Sequence, residues 1–432
     1  MPASGALDVT RTVFLTGMFD MHNFGDLMFP LVARHRLAPL GIDVLPVAPT
    51  GIAPRFADAM APVSVEAMLS EDHAVDGVVI GGGYIIHTHR IDFMREYRTG
   101  AIGAWAGPSL WLGATLAAAV RDVPVMWNAP GAPHPLPTRL RPLIGAALRA
   151  ADYVALRDHG SDHIVAGDHG IPVSIVPDPI ADLAGLWPRA TLDEPFRAVI
   201  ARKGASSSDR FFALHVRGRS AAGMSSEAFA GLVDAFAADH HLTPILIAVG
   251  SSHGDDEFAR VIAARLRSPA VVLDDPDRLV EIAAAVGCSE LYLGSSLHGY
   301  VAAAAYGVPG VLVARPAYKK FGGFVEHTGR QQDLAKDWVS AFASAPARLA
   351  EPRPPPLSAD VLSALDRHWL AIAGAVRAGP ERKQRERLAF ARQAIAEGVR
   401  QDGAGWAIAP FVDPRTRAAA ADDSELRDGP VF

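Results

Sequence analysis

The chain has 432 residues, half of them hydrophobic and a fifth charged, with one cysteine and a formal net charge of -6. Single cores stop growing at about 250–300 residues, so this length implies two domains. A weakly acidic chain lacks the basic field that neutralises nucleic-acid phosphates, and a lone cysteine excludes an internal disulfide.

Cys288 lies in an apolar stretch with no activating charge beside it, and reads as a small core residue, not a nucleophile. The first eight residues lack a charged region followed by an apolar one, so no secretory leader and a cytoplasmic location are expected. The most apolar stretches, 101–120 and 291–314, are broken by Gly, Pro, Ser, Arg or His and read as buried strand-helix units, so no membrane span is expected.

In chain order, apolar β-branched runs alternate with longer helical patterns, the signature of parallel sheets covered by helices on both faces. Strands are predicted at 13–18, 44–47, 77–80, 125–128, 153–156 and 173–176, with helices at 27–37, 110–120 and 139–150 among the connections. A second series opens at 211–216 and continues at 244–249, 271–273, 291–293 and 311–313, with helices at 226–238 and 277–286. Residues 186–208, with their Ser-rich end, read as an interdomain linker that offers a place for closure. The expected architecture is α/β, two Rossmann-like domains facing a cleft: 10–200, then 201–345. A Pro-rich linker and C-terminal helices at 359–378 and 380–399 follow over 346–402, and a peripheral tail over 403–432. The charged run from Glu381 to Arg387 reads as a solvated helix face.

Ligands of open α/β sheets bind at the carboxyl ends of the strands, and four strand ends here carry suggestive residues. The first is followed by Asn23-Phe24-Gly25-Asp26, where Asn23 and Gly25 support a tight turn and Asp26 is expected to cap the next helix. Another runs into Gly81-Gly82-Gly83, which lets the backbone approach a bulky group; the spacing is not a dinucleotide fingerprint, and no Walker lysine follows. The strand at 211–216 delivers Arg217 and Arg219, guanidiniums suited to a phosphate or carboxylate, with surface salt bridges as the plainer alternative. The strand at 291–293 ends in Ser295-Ser296, and His298 opens a small-residue helix that stops at Gly307 and Pro309. A helix N-terminus favours an anion over an imidazolium, which suits a histidine that gains its proton beside a bound phosphate and acts as a general acid. His87 with His89, and the run Asp255-Asp256-Glu257, invite a metal reading. The histidines follow a strand edge and the acids fit a helix's first turn, so no metal is expected.

Together these segments resemble the polysaccharide pyruvyl transferase family over roughly residues 10–330. The matching elements are an early N-x-G-D turn (Asn23 to Asp26), a strand ending in three glycines (Gly81 to Gly83), a mid-chain R-D (Arg157-Asp158) and a late S-x-x-H-x-x-x-x-A-x-x-x-G-x-P element (Ser295 to Pro309). Lys320 falls where the family tends to place a lysine. Many members carry an arginine inside the late motif where this chain has Leu297; the Ser-Ser-Leu-His form resembles an exopolysaccharide-type subgroup and leaves the exact substrate open.

The resemblance implies a GT-B-like fold and transfer of pyruvate from phosphoenolpyruvate to two hydroxyls of a sugar, giving a cyclic ketal and phosphate. It makes His298 the general acid, with Arg217 holding the donor anion, Arg219 and Lys320 backing it, and Ser295 and Ser296 binding its phosphate at the helix N-terminus. Asp26 is then the acceptor-side base or orienting group, and Asn23, Gly25, Gly82 and Gly83 face the acceptor. No cofactor is expected beyond phosphoenolpyruvate as co-substrate, and the partner is a sugar or a lipid-linked or nucleotide-linked glycan. Two other classes fit the same residues: a GT-B glycosyltransferase with a nucleotide-sugar donor, and a non-catalytic glycan-binding paralogue.

Overall fold

The structure, a computed structural model, describes residues 10–411 apart from 168, 207 and 318. Short apolar runs bury best where both faces of a sheet are covered, and β4 (Gly77–Ile80), β8 (Phe211–His215) and β12 (Gly310–Val313) are buried at every position. The first parallel sheet also holds β1 (Arg11–Thr16), β2 (Ile42–Ala48), β3 (Val63–Ser64) and β5 (Val125–Trp127), in the order β3-β2-β1-β4-β5. A parallel pair, β6 (Ala155–Leu156) and β7 (Ser174–Ile175), extends it through a bridge between Met126 and Tyr153. The second parallel sheet adds β9 (Thr243–Ile247), β10 (Val271–Leu273), β11 (Tyr292–Gly294) and β13 (Leu334–Ala335), in the order β10-β9-β8-β11-β12-β13. Neither β3 nor β13 was expected, since two residues carry no periodicity.

Both sheets reverse their winding beside their first strand, between β1 and β4 and between β8 and β11. Such a reversal parts the connecting loops and opens a crevice at the strand carboxyl ends. The four segments singled out in the sequence leave these four strands, so two crevices confront each other across one cleft.

The two halves are joined tightly beneath that cleft. The Phe24 N–H donates to the Val249 carbonyl at 2.6 Å, and a Cβ on Gly250 (φ +147°) would overlap the His22 carbonyl. One apolar cluster runs from Phe24 and Leu27 of the first unit to Ile282 and Val301 of the second. Among the described residues, no helix is long and apolar enough to cross a membrane.

Two expectations about organisation change. Residues 186–208, read as an interdomain linker across a boundary near 200, hold the helix Asp193–Arg202, which packs on the helix Leu279–Gly287, where Arg202 pairs with Glu281. The chain therefore enters the second unit before β8. The C-terminal helices, which the sequence assigned to neither unit, return to the first. Ala359–Ala378 inserts Leu365, Trp369 and Ile372 into the shared core, and Gln384–Asp402 lies across Ala114–Arg121 and Arg141–Ala150. Within the charged run, Arg387 is only 1% exposed and pairs with Asp152 at 3.1 Å and Asp122 at 3.4 Å, so that face is not wholly solvated. Residues 412–432 of the expected tail lie outside the described residues.

Candidate active site

The cleft encloses a cavity of about 160 Å³ lined by Asn23, Asp26, Gly83, Arg157, Arg217, Arg219, Ser295, Ser296 and His298. His298 stands in the first turn of the helix Leu297–Ala305, which is capped by Ser296 accepting from the Gly299 N–H at 3.3 Å. Ser296 is thus committed to the cap, while the buried Ser295 Oγ has no hydrogen-bond partner. The His298 ring reaches across to the first unit and lies against Gly25, where a Cβ would overlap the imidazole.

On that side Asn23, not Asp26, is the N-cap. Its side chain accepts from the Gly25 N–H at 2.9 Å, and Asp26 follows within the first turn of the helix Phe24–Leu37. Asp26 misses the cap because the chain leaves its extended conformation at residue 23, and capping needs the last non-helical residue. Gly81 and Gly82 answer to packing: a Cβ at the first would meet the Thr16 carbonyl, and at the second the Phe29 ring. Gly83 alone of the three has a positive φ, +85°, and brings the backbone to the cavity wall beside Asp26.

The base of the cavity holds residues that the sequence left without a role. Arg157, at the end of β6, is 4% exposed, with its guanidinium 4.2 Å from the Tyr84 ring centroid. Its Nη1 lies 3.5 Å from Asp178, while Nε and Nη2 have no hydrogen-bond partner. Asp178, just after β7, is fixed by the Ile180 N–H at 3.1 Å and lies 3.5 Å from His298 Nε2, long for a hydrogen bond and within reach of an ion pair. Burial pushes the Asp178 carboxyl up, but His298 and Arg157 outweigh it and hold the group below its ordinary range, so it is an anion at neutral pH. A strand end followed by Pro177-Asp178-Pro179 was the available signal for Asp178. For Arg157 it was the Arg-Asp pair after an apolar strand, with Asp158 capping the next helix through the Ser161 N–H at 2.6 Å.

The second unit supplies Arg217, whose Nε donates to Asp255 at 3.0 Å; Asp255 also pairs with the fully buried His215. Burial raises the Asp255 carboxyl, yet Arg217 and His215 more than offset this and bring it down to about 2. Part of the Arg217 charge is therefore already matched. Arg219 is exposed at the rim. Lys320 falls in the helix Lys319–His327, and its side chain lies outside the described residues. Burial also pushes the Cys288 thiol up to about 11, which keeps it protonated at neutral pH. Asp255 to Glu257 do form a helix's first turn, and among the described residues no group of three or more His, Cys, Asp or Glu could hold a metal ion.

Solved structures of like fold include the UDP-GlcNAc 2-epimerase of Methanocaldococcus jannaschii, with a TM-score of 0.54 at 12% identity over 84% of this chain and 99% of that one. The same organism's enzyme in complex with UDP-GlcNAc and UDP gives 0.51 at 12% identity, over 84% and 99%. MnaA of S. aureus with UDP gives 0.50 at 11% identity, over 83% and 94%. Likeness at such low identity establishes the fold, an α/β architecture of GT-B type. No curated protein matches the sequence. The model of the polysaccharide pyruvyl transferase family, by contrast, matches residues 23–316, which takes in Asn23 and Asp26 and the ends of β4, β8 and β11, and the chain belongs to that family.

Proposed function

We propose that the protein moves the pyruvyl group of phosphoenolpyruvate onto two hydroxyls of a sugar or glycan precursor, forming a cyclic ketal and releasing phosphate. The observation that carries this reading is the set of buried atoms without a hydrogen-bond partner in one cavity: Arg157 Nε and Nη2, Ser295 Oγ and His298 Nε2, of which Arg157 Nε and His298 Nε2 have only the ion pairs with Asp158 and Asp178 at 3.6 and 3.5 Å. An unsatisfied buried polar group costs about 1–3 kcal/mol, a cost that a bound oxyanion removes. Phosphoenolpyruvate carries phosphate and carboxylate on one carbon, which suits a cleft with Arg157 on one wall and Arg217 and Arg219 on the other.

In this reading His298 gives a proton to the methylene carbon of the donor, and the neighbouring carbon becomes an oxocarbenium centre. One sugar hydroxyl bonds to it and loses its proton to Asp26. The C–O bond to phosphate then breaks, with that proton departing on phosphate, and the second hydroxyl closes the ketal while its proton restores His298. Asp178 is a positioning residue that holds the ring and offers a counter-charge to the imidazolium. General acid catalysis of this kind contributes about 10²–10⁴-fold. The rival reading is a nucleotide-sugar donor in the same cleft, favoured by the epimerase of like fold solved with UDP-GlcNAc and UDP.

Ligand-induced thermal stabilisation separates the two. A ligand at 100 times its Kd adds roughly 2.7 kcal/mol. Phosphoenolpyruvate is expected to stabilise the wild type and His298→Ala but not Arg157→Ala, and His298→Ala is expected to lose phosphate release with glycan acceptors. Stabilisation by nucleotide sugars and not by phosphoenolpyruvate would overturn the proposal.

A further inference from the structure

Arg217 lines the cavity just beyond the end of β8 with its guanidinium already gripped along one edge. Its Nε donates to both oxygens of the Asp255 carboxylate, at 3.0 and 3.3 Å. Asp255 is 1% exposed and opens the helix Asp255–Ala263, where a helix N-terminus favours its charge. Behind it stands the fully buried His215, with Nε2 3.0 Å from Asp255 Oδ2. An ionised carboxylate only accepts, so the His215 proton sits on Nε2, and Nδ1 is left buried without a hydrogen-bond partner. The His215 carbonyl accepts from the Ser295 N–H at 3.1 Å, which ties the same strand end to the wall that carries Ser295 and His298. Among the described residues, the two terminal nitrogens of Arg217 have no hydrogen-bond partner, and neither is among the buried atoms.

We propose that Asp255, backed by His215, is a positioning residue that aims Arg217, so that both terminal nitrogens meet one phosphate or carboxylate of the donor end-on. A guanidinium held along Nε keeps its planar fork in one orientation, and a fork fixed in advance loses less side-chain freedom when the anion arrives. The inference rests on the cleft taking an anionic donor, as proposed above, but not on which donor it takes.

The test is a double-mutant cycle on the full chain, read as dissociation constants for phosphoenolpyruvate and for UDP-GlcNAc in titration calorimetry. The wild type is expected to bind phosphoenolpyruvate, and Arg217→Ala and Asp255→Ala should each weaken it about tenfold or more, the usual weight of a charge-assisted hydrogen bond. The two substitutions together should bind no worse than Arg217→Ala alone, because the carboxylate acts only through the arginine. Asp255→Asn, which keeps an acceptor for Nε, should restore most of the affinity. Arg217→Lys keeps the charge but has no planar fork, so it should bind nearly as weakly as Arg217→Ala, and it decides the question even if Asp255→Ala does not fold. Additive losses in the cycle, tighter binding by Asp255→Ala, or wild-type affinity in Arg217→Lys overturns the proposal, as does a wild type that binds neither compound. The same cycle obtained with UDP-GlcNAc, without binding of phosphoenolpyruvate, would overturn the pyruvyl reading and support this one.

Discussion

Gly25 acts by being small. Its φ is not positive, so the position asks for space and not for a rare backbone conformation, and the occupant of that space is the His298 imidazole from the other unit. Gly25→Ala should push the ring off the cavity floor while leaving both sheets intact. Under the proposed chemistry, a misplaced acid should cost about 10²-fold or more in kcat. Phosphoenolpyruvate should still stabilise the variant through Arg157. A variant with wild-type kcat would show that the ring has another productive seat. Arg157 teaches the complementary lesson. Its type and place were visible in the sequence, but its weight was not, because only the packing beside Tyr84 shows that two of its buried nitrogens lack hydrogen-bond partners, which is what the proposed function uses.

Among elements, the helix Ala359–Ala378 illustrates how a pattern can be right and its partner unread. Its limits matched the sequence expectation, yet nothing in its periodicity said that it would return to the first unit. The docking rests partly on His368, fully buried, with Nε2 2.8 Å from Asn128 Oδ1 and Nδ1 3.0 Å from the Tyr153 hydroxyl. Burial lowers the pKa of His368 from 6.5 to about 3. The unfolded chain therefore takes up this proton first as pH falls. The stabilisation is complete above pH 6.5 and is lost progressively as pH drops toward 3. Denaturant midpoints should fall from neutral pH to about pH 5, and His368→Gln should flatten that dependence. An unchanged slope would place the acid sensitivity in other groups.

At the scale of the whole molecule, the cleft is held by contacts that belong to neither half alone. The helix Leu279–Gly287 has no side-chain cap of its own, and the missing acceptor comes from Asp58 in the first unit, which accepts from the Leu279 and Val280 N–H groups at 2.6 and 3.1 Å. Asp58→Ala should cost about 1 kcal/mol in chemical denaturation, the usual loss for a deleted helix cap. No change in the denaturation midpoint would mean that water replaces the carboxylate at no cost. The shared apolar cluster and the backbone bond from Phe24 to Val249 make the junction continuous, so the Ser-rich segment is one connection among several.

By itself the sequence determined the alternation of strands and helices, the parallel sheets and the strand ends at which ligands gather. Each of these follows from local periodicity and from the glycines, serines and arginines that punctuate it. It also carried the family, because the order and spacing of four motifs survive in one dimension. Only the tertiary structure decided which residues share the cavity floor. Asp178 and His298 are distant in the chain and become neighbours when the crevices of two sheets close on each other. Burial then changes what an arginine, a carboxylate or a histidine can do, and burial is a property of the packed whole that no local pattern encodes.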